Sequence, residues 1–369
     1  MVARFICPDV IQQERSIAMH THENFSSRTK TCLVIFVFFF SCCLVLGWNV
    51  TPTVAQQGSG EPVAGRQLTD FYLYDVTWGK SQFVAVGTGS LNTTVALTSS
   101  EGERWSKVSI GDSPGLRESG EKAGVLYGVA WNGTAFVAVG ERILISPDGQ
   151  KWMFAAAIST CAFTRVAANT SMFVAVGGYY GLGCLATSPD GRTWTLGTAA
   201  LESPESVFAD VIWTGSTFIA LGNTNLGRFG LSSVVLTSPD GETWNRPFST
   251  NTLLTDVAWN GSLFVMVGSK ARQGSIFISP DGRTWTQVRV NIFNPLRAVT
   301  WGRNRFVAVG SNGALVTSPD GKQWKTGKSG TTADLMSITW NGSRFVAVGR
   351  GVILTSLDGE AWKDLTSVP

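Results

Sequence analysis

The chain spells out one unit seven times. Its clearest copy runs from Leu254 to Thr286, LTDVAWNGSLFVMVGSKARQGSIFISPDGRTWT. The parts recur in order: an apolar stretch ending in Trp, a turn, a Phe-Val-Ala-Val-Gly type strand, a loop, a short apolar strand, a Ser-Pro-Asp-Gly turn and a second Trp. The opening Phe of the second strand stands at Phe83, Phe136, Phe173, Phe218, Phe264, Phe306 and Phe345, and its closing Gly at Gly87, Gly140, Gly177, Gly222, Gly268, Gly310 and Gly349. A repeat of about 40 residues with four strand signals buries its apolar faces only by stacking on its neighbours, which predicts a radial array. The expected fold class is all-β: a seven-bladed β-propeller of four-stranded antiparallel blades over residues 71–369.

Within the fifth copy, TDVAW reads as strand A, LFVMVG as B, SIFIS as C and TWTQVRV as D. Asn-Gly between A and B suggests a two-residue hairpin with positive φ at both residues. Pro-Asp-Gly between C and D joins a fixed φ, a self-bonding Asp and a left-handed Gly. Strands covered on both faces read as continuous apolar runs. The charged fraction of 15% follows from that burial, against about 25% in an average domain. Trp78, Trp131, Trp213, Trp259, Trp301 and Trp340 end strand A, with Ala168 in the third copy. Trp105, Trp152, Trp194, Trp244, Trp285, Trp324 and Trp362 follow the second turn. These are all but Trp48 of the 14 Trp, and they read as packing residues between blades.

The second turn resembles the Asp-box, or BNR repeat, of sialidase-like propellers, Ser/Thr-x-Asp-x-Gly-x-x-Trp. Copies run from Ser146 to Trp152, Ser188 to Trp194, Ser238 to Trp244, Ser279 to Trp285, Ser318 to Trp324 and Ser356 to Trp362. The first, from Ser99 to Trp105, has Glu101 in place of Asp. All are one residue shorter than the Asp-box between Asp and Gly, so this is a variant of the repeat class and points to no one enzyme family. The resemblance implies that Asp148, Asp190, Asp240, Asp281, Asp320 and Asp358 are turn caps, away from any ligand.

The A–B and C–D turns are uniform and share one face of the disc. The B–C loops and D–A links share the other, where lengths vary. Binding loops on a rigid scaffold are the usual carriers of function, so this variable face is the candidate surface. Tyr179, Tyr180, Arg142, Arg228, Phe229, Arg272 and Arg350 lie on it, with Lys270. Arg and Tyr suit recognition because each joins large area to directional hydrogen bonds. A second set stands three residues before the strand-A Trp: Asp75, Gly128, Arg165, Asp210, Asp256, Ala298 and Ser337. Variation there is expected of a solvent-exposed strand end at the channel mouth, or of a ligand-facing ring; the former is favoured.

Residues 1–55 read as a targeting segment. The apolar run at 32–47 follows Arg28 and Lys30, as in a signal peptide, and is short of the roughly 20 residues of a membrane span. Met19 offers a second start. The alternative is an uncleaved anchor facing outward. Either places the propeller outside the cytoplasm, where a disulfide between Cys161 and Cys184 would persist. Residues 56–70 read as a flexible linker. Asn-x-Ser/Thr sequons coincide mostly with the A–B turn and read as turn chemistry.

The two His, His20 and His22, precede the apolar run, which removes His-dependent nucleophiles and His-ligated metals from the propeller. No cofactor and no metal is expected. A net charge of +3, evenly spread, does not suggest nucleic-acid binding. A sialidase needs a late Tyr nucleophile, and Tyr180 is the last Tyr. A two-carboxylate glycoside hydrolase using Asp210 and Asp256 is the enzyme alternative, since those strands begin about 10 Å apart, near the roughly 6.5–9.5 Å of inverting pairs. The expectation is an exported, monomeric, non-catalytic propeller binding a protein or carbohydrate ligand.

Overall fold

The computed structural model describes residues 61–63, 65–90, 93–110, 124–179, 182–197, 206–225 and 231–366. The targeting segment, Tyr180, Arg228 and Phe229 lie outside the described residues. The described residues form seven antiparallel sheets, each with its strands in the sequence order A, B, C, D. In blade 1 these are Tyr72–Gly79, Gln82–Thr88, Thr94–Ser99 and Trp105–Val108. In blade 5 they are Leu253–Trp259, Phe264–Lys270, Gln273–Ser279 and Thr286–Val288. In blade 7 they are Leu335–Trp340, Phe345–Gly349, Val352–Ser356 and Lys363–Asp364. Strand A of each blade packs against strand A of the next, blade 7 against blade 1 included, so the ring closes as a seven-bladed propeller.

The core lies between blades. Strand B is buried along its whole Phe-Val-Ala-Val-Gly length in blades 2 and 7, because both faces meet a neighbouring sheet. One apolar cluster joins Phe83 and Trp105 of blade 1 to Val346 and Ile353 of blade 7. Within every blade but the third, where Ala168 takes its place, the strand-A Trp sits on the strand-B Phe, with ring centroids 4.3 Å apart for Trp340 and Phe345.

Strand A carries a bulge at the same point in all seven blades. In blade 1 Leu73 pairs with Gly87 and Asp75 with Val86, leaving Tyr74 extra. The others fall between Leu126 and Gly128, Phe163 and Arg165, Phe208 and Asp210, Leu254 and Asp256, Leu296 and Ala298, and Leu335 and Ser337. The bulge bends strand A toward strand B. A Cβ on Gly87 would stand 1.9 Å from the Tyr72 carbonyl oxygen, and one on Gly268 1.9 Å from that of Leu253. The repeat's Gly is therefore the space into which the bulge fits.

Turn chemistry is partly as expected. Oδ1 of Asp190 accepts the N–H groups of Arg192 and Thr193 at 2.8 and 2.7 Å and the Ser188 hydroxyl at 3.1 Å, while Trp194 Nε1 donates to the Gly191 carbonyl at 3.1 Å. Copies 2 to 7 share this design. In blade 1, where Glu101 replaces Asp, the indole N–H of Trp105 has no partner. The Asn-Gly form of the A–B turn differs from the sequence expectation, although Lys80-Ser81 and Arg303-Asn304 in blades 1 and 6 do have positive φ at both residues. Positive φ falls on Gly261 alone (97°), Asn260 lies outside that region, and its Oδ1 caps the N–H groups of Ser262 and Leu263 at 2.9 and 2.7 Å. The two-residue loop is thus Gly-Ser, in the Gly-first hairpin form, rather than Asn-Gly.

The lead-in also departs from the linker expected for residues 56–70. Glu61–Val63 pairs with the outer strand of blade 1 as a fifth strand, Val63 opposite Trp105. A 3-10 helix, Gly65–Asp70, follows. Leu68 is buried in the blade 1–blade 7 cluster, and the Gly351 N–H donates to the Phe71 carbonyl at 2.8 Å. The composition QQGSGEPVAGRQLTD hides a plug in which Leu68 is the anchor. In blade 3, Cys161 and Cys184 form a disulfide with Cα atoms 6.0 Å apart.

Candidate functional site

Two places gather side chains beyond the needs of packing. The first is the central channel. Its wall is strand A, and the bulge turns the residue before the buried Val toward the axis. Asp75, Arg165, Asp210, Asp256 and Ser337 line a cavity of about 560 Å³ there. Expected as solvent-exposed strand ends, these residues form a ring inside the channel, and Asp210 is only 5% exposed.

The ring follows a rule. Asp75 accepts its own neighbour's N–H, Val76, at 2.9 Å through Oδ1, and the N–H of Val129 in the next blade at 2.9 Å through Oδ2. Asp256 does the same with Val257 and Val299, both at 2.7 Å. The acid stitches two blades where the next ring residue is small, Gly128 or Ala298. Ser337 donates to Asp75 Oδ1 at 2.7 Å. Arg165 donates to the carbonyls of Tyr127 and Thr164, each at 2.9 Å.

Asp210 breaks the rule. The N–H it would reach in the next blade, that of Val257, is held by Asp256, and Oδ2 of Asp210 is buried without a donor. The Asp210 and Asp256 carboxyls instead share a hydrogen bond. Burial raises the proton affinity of both, and the Asp210 charge raises that of Asp256 further, well above the ordinary carboxylate range. Two acids in contact in a desolvated site retain one proton between them. This overturns the spacing expected of a glycosidase pair. Inverting enzymes keep their carboxyls roughly 6.5–9.5 Å apart and retaining ones about 5–5.5 Å, and neither geometry has acids hydrogen-bonded to each other.

The second place is the variable face over blades 3 and 4. Tyr179 is 43% exposed, as expected of it, and Leu182, Val207 and Leu231 are 59%, 40% and 42% exposed on the same two blades. Tyr179 pairs with Leu182 across the tip of the blade 3 B–C hairpin. A Cβ on Gly178 would lie 2.6 Å from Val207 Cγ1, so that hairpin abuts strand A of blade 4. Leu231 opens strand C of the same blade. The three aliphatic members went unread in the sequence. Leu182 alone carries a signal, an apolar residue where blade 5 has Gln273; at the position of Val207 blade 5 has the equally apolar Leu253.

The expected arginines among the described residues stand apart. Arg142, Arg272 and Arg350 stand on blades 2, 5 and 7, no two of which are neighbours. Arg272 is exposed at a hairpin tip with φ 68°. The Arg350 guanidinium lies 4.7 Å above the Tyr72 ring, where it seals blade 7 to blade 1. Lys270 donates to Asn251 Oδ1 at 2.8 Å.

No family model matches the chain, and no curated protein does. Solved structures similar to it are propellers. A structure described as YCF48 bound to D1 peptide aligns with a TM-score of 0.51 at 17% identity, over 66% of this chain and 84% of that one. The WD40 β-propeller domain of Doa1 aligns at 0.51 and 10% identity, over 83% of this chain and 96% of that one. A puromycin-hydrolyzing peptidase of Mycobacterium tuberculosis aligns at 0.56 and 11% identity, over 85% of this chain and 56% of that one. At these identities the likeness is one of fold.

Proposed function

We propose that this propeller is a non-catalytic recognition module that holds a protein partner against its variable face, at the ends of blades 3 and 4. The observation that carries the reading is that Tyr179, Leu182, Val207 and Leu231 are each exposed at the variable-face ends of the adjoining blades 3 and 4. Apolar side chains grouped at a loop-rich rim mark protein contacts more than solvated surface. A glycan platform would set aromatic rings beside polar groups, whereas three of these four are aliphatic. The propeller solved with a D1 peptide offers a parallel for peptide capture by this fold. The C–D turns are read as a shortened Asp-box, and the apolar run at 32–47 as the signal that exports the chain or anchors it facing outward.

The test is a peptide-display selection run beside a glycan array, using the purified chain and a Leu182→Ser/Leu231→Ser double variant. Peptides with apolar anchors should bind the parent chain and lose at least about tenfold on the variant, as expected when central apolar contacts are removed. Glycan binding that survives the double substitution, with no peptide selected, would sink the reading.

A further inference from the structure

The seven ring positions serve as controls for one another. Asp75 and Asp256 spend both oxygens capping backbone N–H groups. Gly128, Ala298 and Ser337 show that the bulge needs no acid to form. Asp210 caps only the N–H of its own neighbour, Val211, and reaches no N–H of the next blade. A buried acid with one oxygen left without a donor is costly, yet this one stands in the wall of the channel cavity, 5% exposed, its Oδ2 reached by no backbone N–H or hydroxyl.

We propose that the channel cavity binds an organic ammonium ion, its charged head held by the carboxylates of Asp210 and Asp256. The volume of about 560 Å³ suits an alkylammonium or a lysine side chain. A hard divalent ion would want six or more oxygen ligands, and among the described residues no three His, Cys, Asp or Glu come together. The residues of the wall also include Trp213, Trp259 and Trp301, and indole rings attract cations. The other charged groups facing the pair are Asp75 and Arg165, one of each sign. The cavity extends to Thr214 and Gly215 in an A–B turn. It is therefore approached from the short-turn face, and the inference stands apart from the partner surface proposed above.

The exchange balances simply. The ammonium enters with its three N–H donors, the proton shared by Asp210 and Asp256 leaves to solvent, and both carboxylates accept hydrogen bonds from the cation. Isothermal titration of the purified chain with n-butylammonium chloride, in two buffers of different ionisation enthalpy near neutral pH, reads this directly. Binding should release up to about one proton per cation, and n-butanol should not bind. Asp210→Asn, whose amide can donate to Asp256, should weaken butylammonium binding about tenfold or more. A lysine-containing peptide in place of butylammonium shows whether a protein side chain serves as the ligand. Absent heat at millimolar cation, equal binding of butanol, or binding without proton release would each overturn the proposal. The proton count is read on the unaltered chain, so it decides the matter whether or not the variant folds.

Discussion

The Ser337 hydroxyl donates to Oδ1 of Asp75 at 2.7 Å, joining the last innermost strand to the first across 262 residues of sequence. It is a polar stitch at the point where a propeller must close. Asp75 also holds the N–H groups of Val76 and Val129, so one carboxylate ties together blades 7, 1 and 2. Asp75→Ala strands three donors and should lower the unfolding free energy by roughly 2–4 kcal/mol, while Ser337→Ala alone should cost about 1 kcal/mol. In urea unfolding of the four chains of this cycle, Ser337→Ala should cost almost nothing further once Asp75 is Ala. Additive losses would show that the two side chains do not work as a unit.

The seam has an apolar half as well. Leu68 is 2% exposed among residues of blades 1 and 7. Leu68→Ala should cost about 2–4 kcal/mol, as for other well-packed buried leucines, and lower the melting temperature. An unaltered midpoint for Leu68→Ala would return residues 65–70 to the status of a linker.

The repeat made much of this architecture legible. Phe, Gly and Trp at fixed spacing mark strands B and D, and the positions where copies disagree include every member of the channel ring. The bulge was not legible, because an extra residue in strand A leaves no mark in composition. Without it, Asp210 and Asp256 read as exposed strand ends on separate sheets, when in fact their carboxyls meet. Tyr179 was found by residue type, whereas Leu182, Val207 and Leu231 become a surface only when two blades stand side by side. Leu68 was missed because one anchor in a polar, Gly-rich segment carries no periodicity.

The dependence of the bulge on the repeat's Gly can be tested against a second Gly of the same blade. At Gly268 a Cβ would strike the Leu253 carbonyl at 1.9 Å, while at Gly261 it would meet nothing within 4 Å and only the φ of 97° opposes it. Gly268→Ala should therefore destabilise by about 3 kcal/mol or more, through displaced backbone. Gly261→Ala should cost about 1 kcal/mol or somewhat more, through conformation alone. Chemical denaturation of both variants checks the order. Equal losses would mean that strand A relaxes its bulge at little cost.

The acid pair gives stability a pH dependence of unusual sign. Both carboxyls bind protons more tightly folded than unfolded, so the folded state carries the extra proton and low pH favours it. Their contribution is fully present near and below pH ~4, the unfolded carboxylate range. It is lost as pH rises from there through the pair's raised range. The turn carboxylates work the other way: Asp240 and Asp281, capped by backbone N–H groups, are held down at about 2. Their contribution is present above pH ~4 and fades as pH falls toward 2. Asp210→Asn replaces the shared proton by a permanent N–H donor to Asp256, whose oxygens keep their bonds to Val257 and Val299. Unfolding free energies measured from pH 4 to 8 should fall with rising pH in the parent chain and show a flatter slope in Asp210→Asn, with the variant the more stable above neutrality. Parallel profiles would mean that Asp210 and Asp256 do not share a proton.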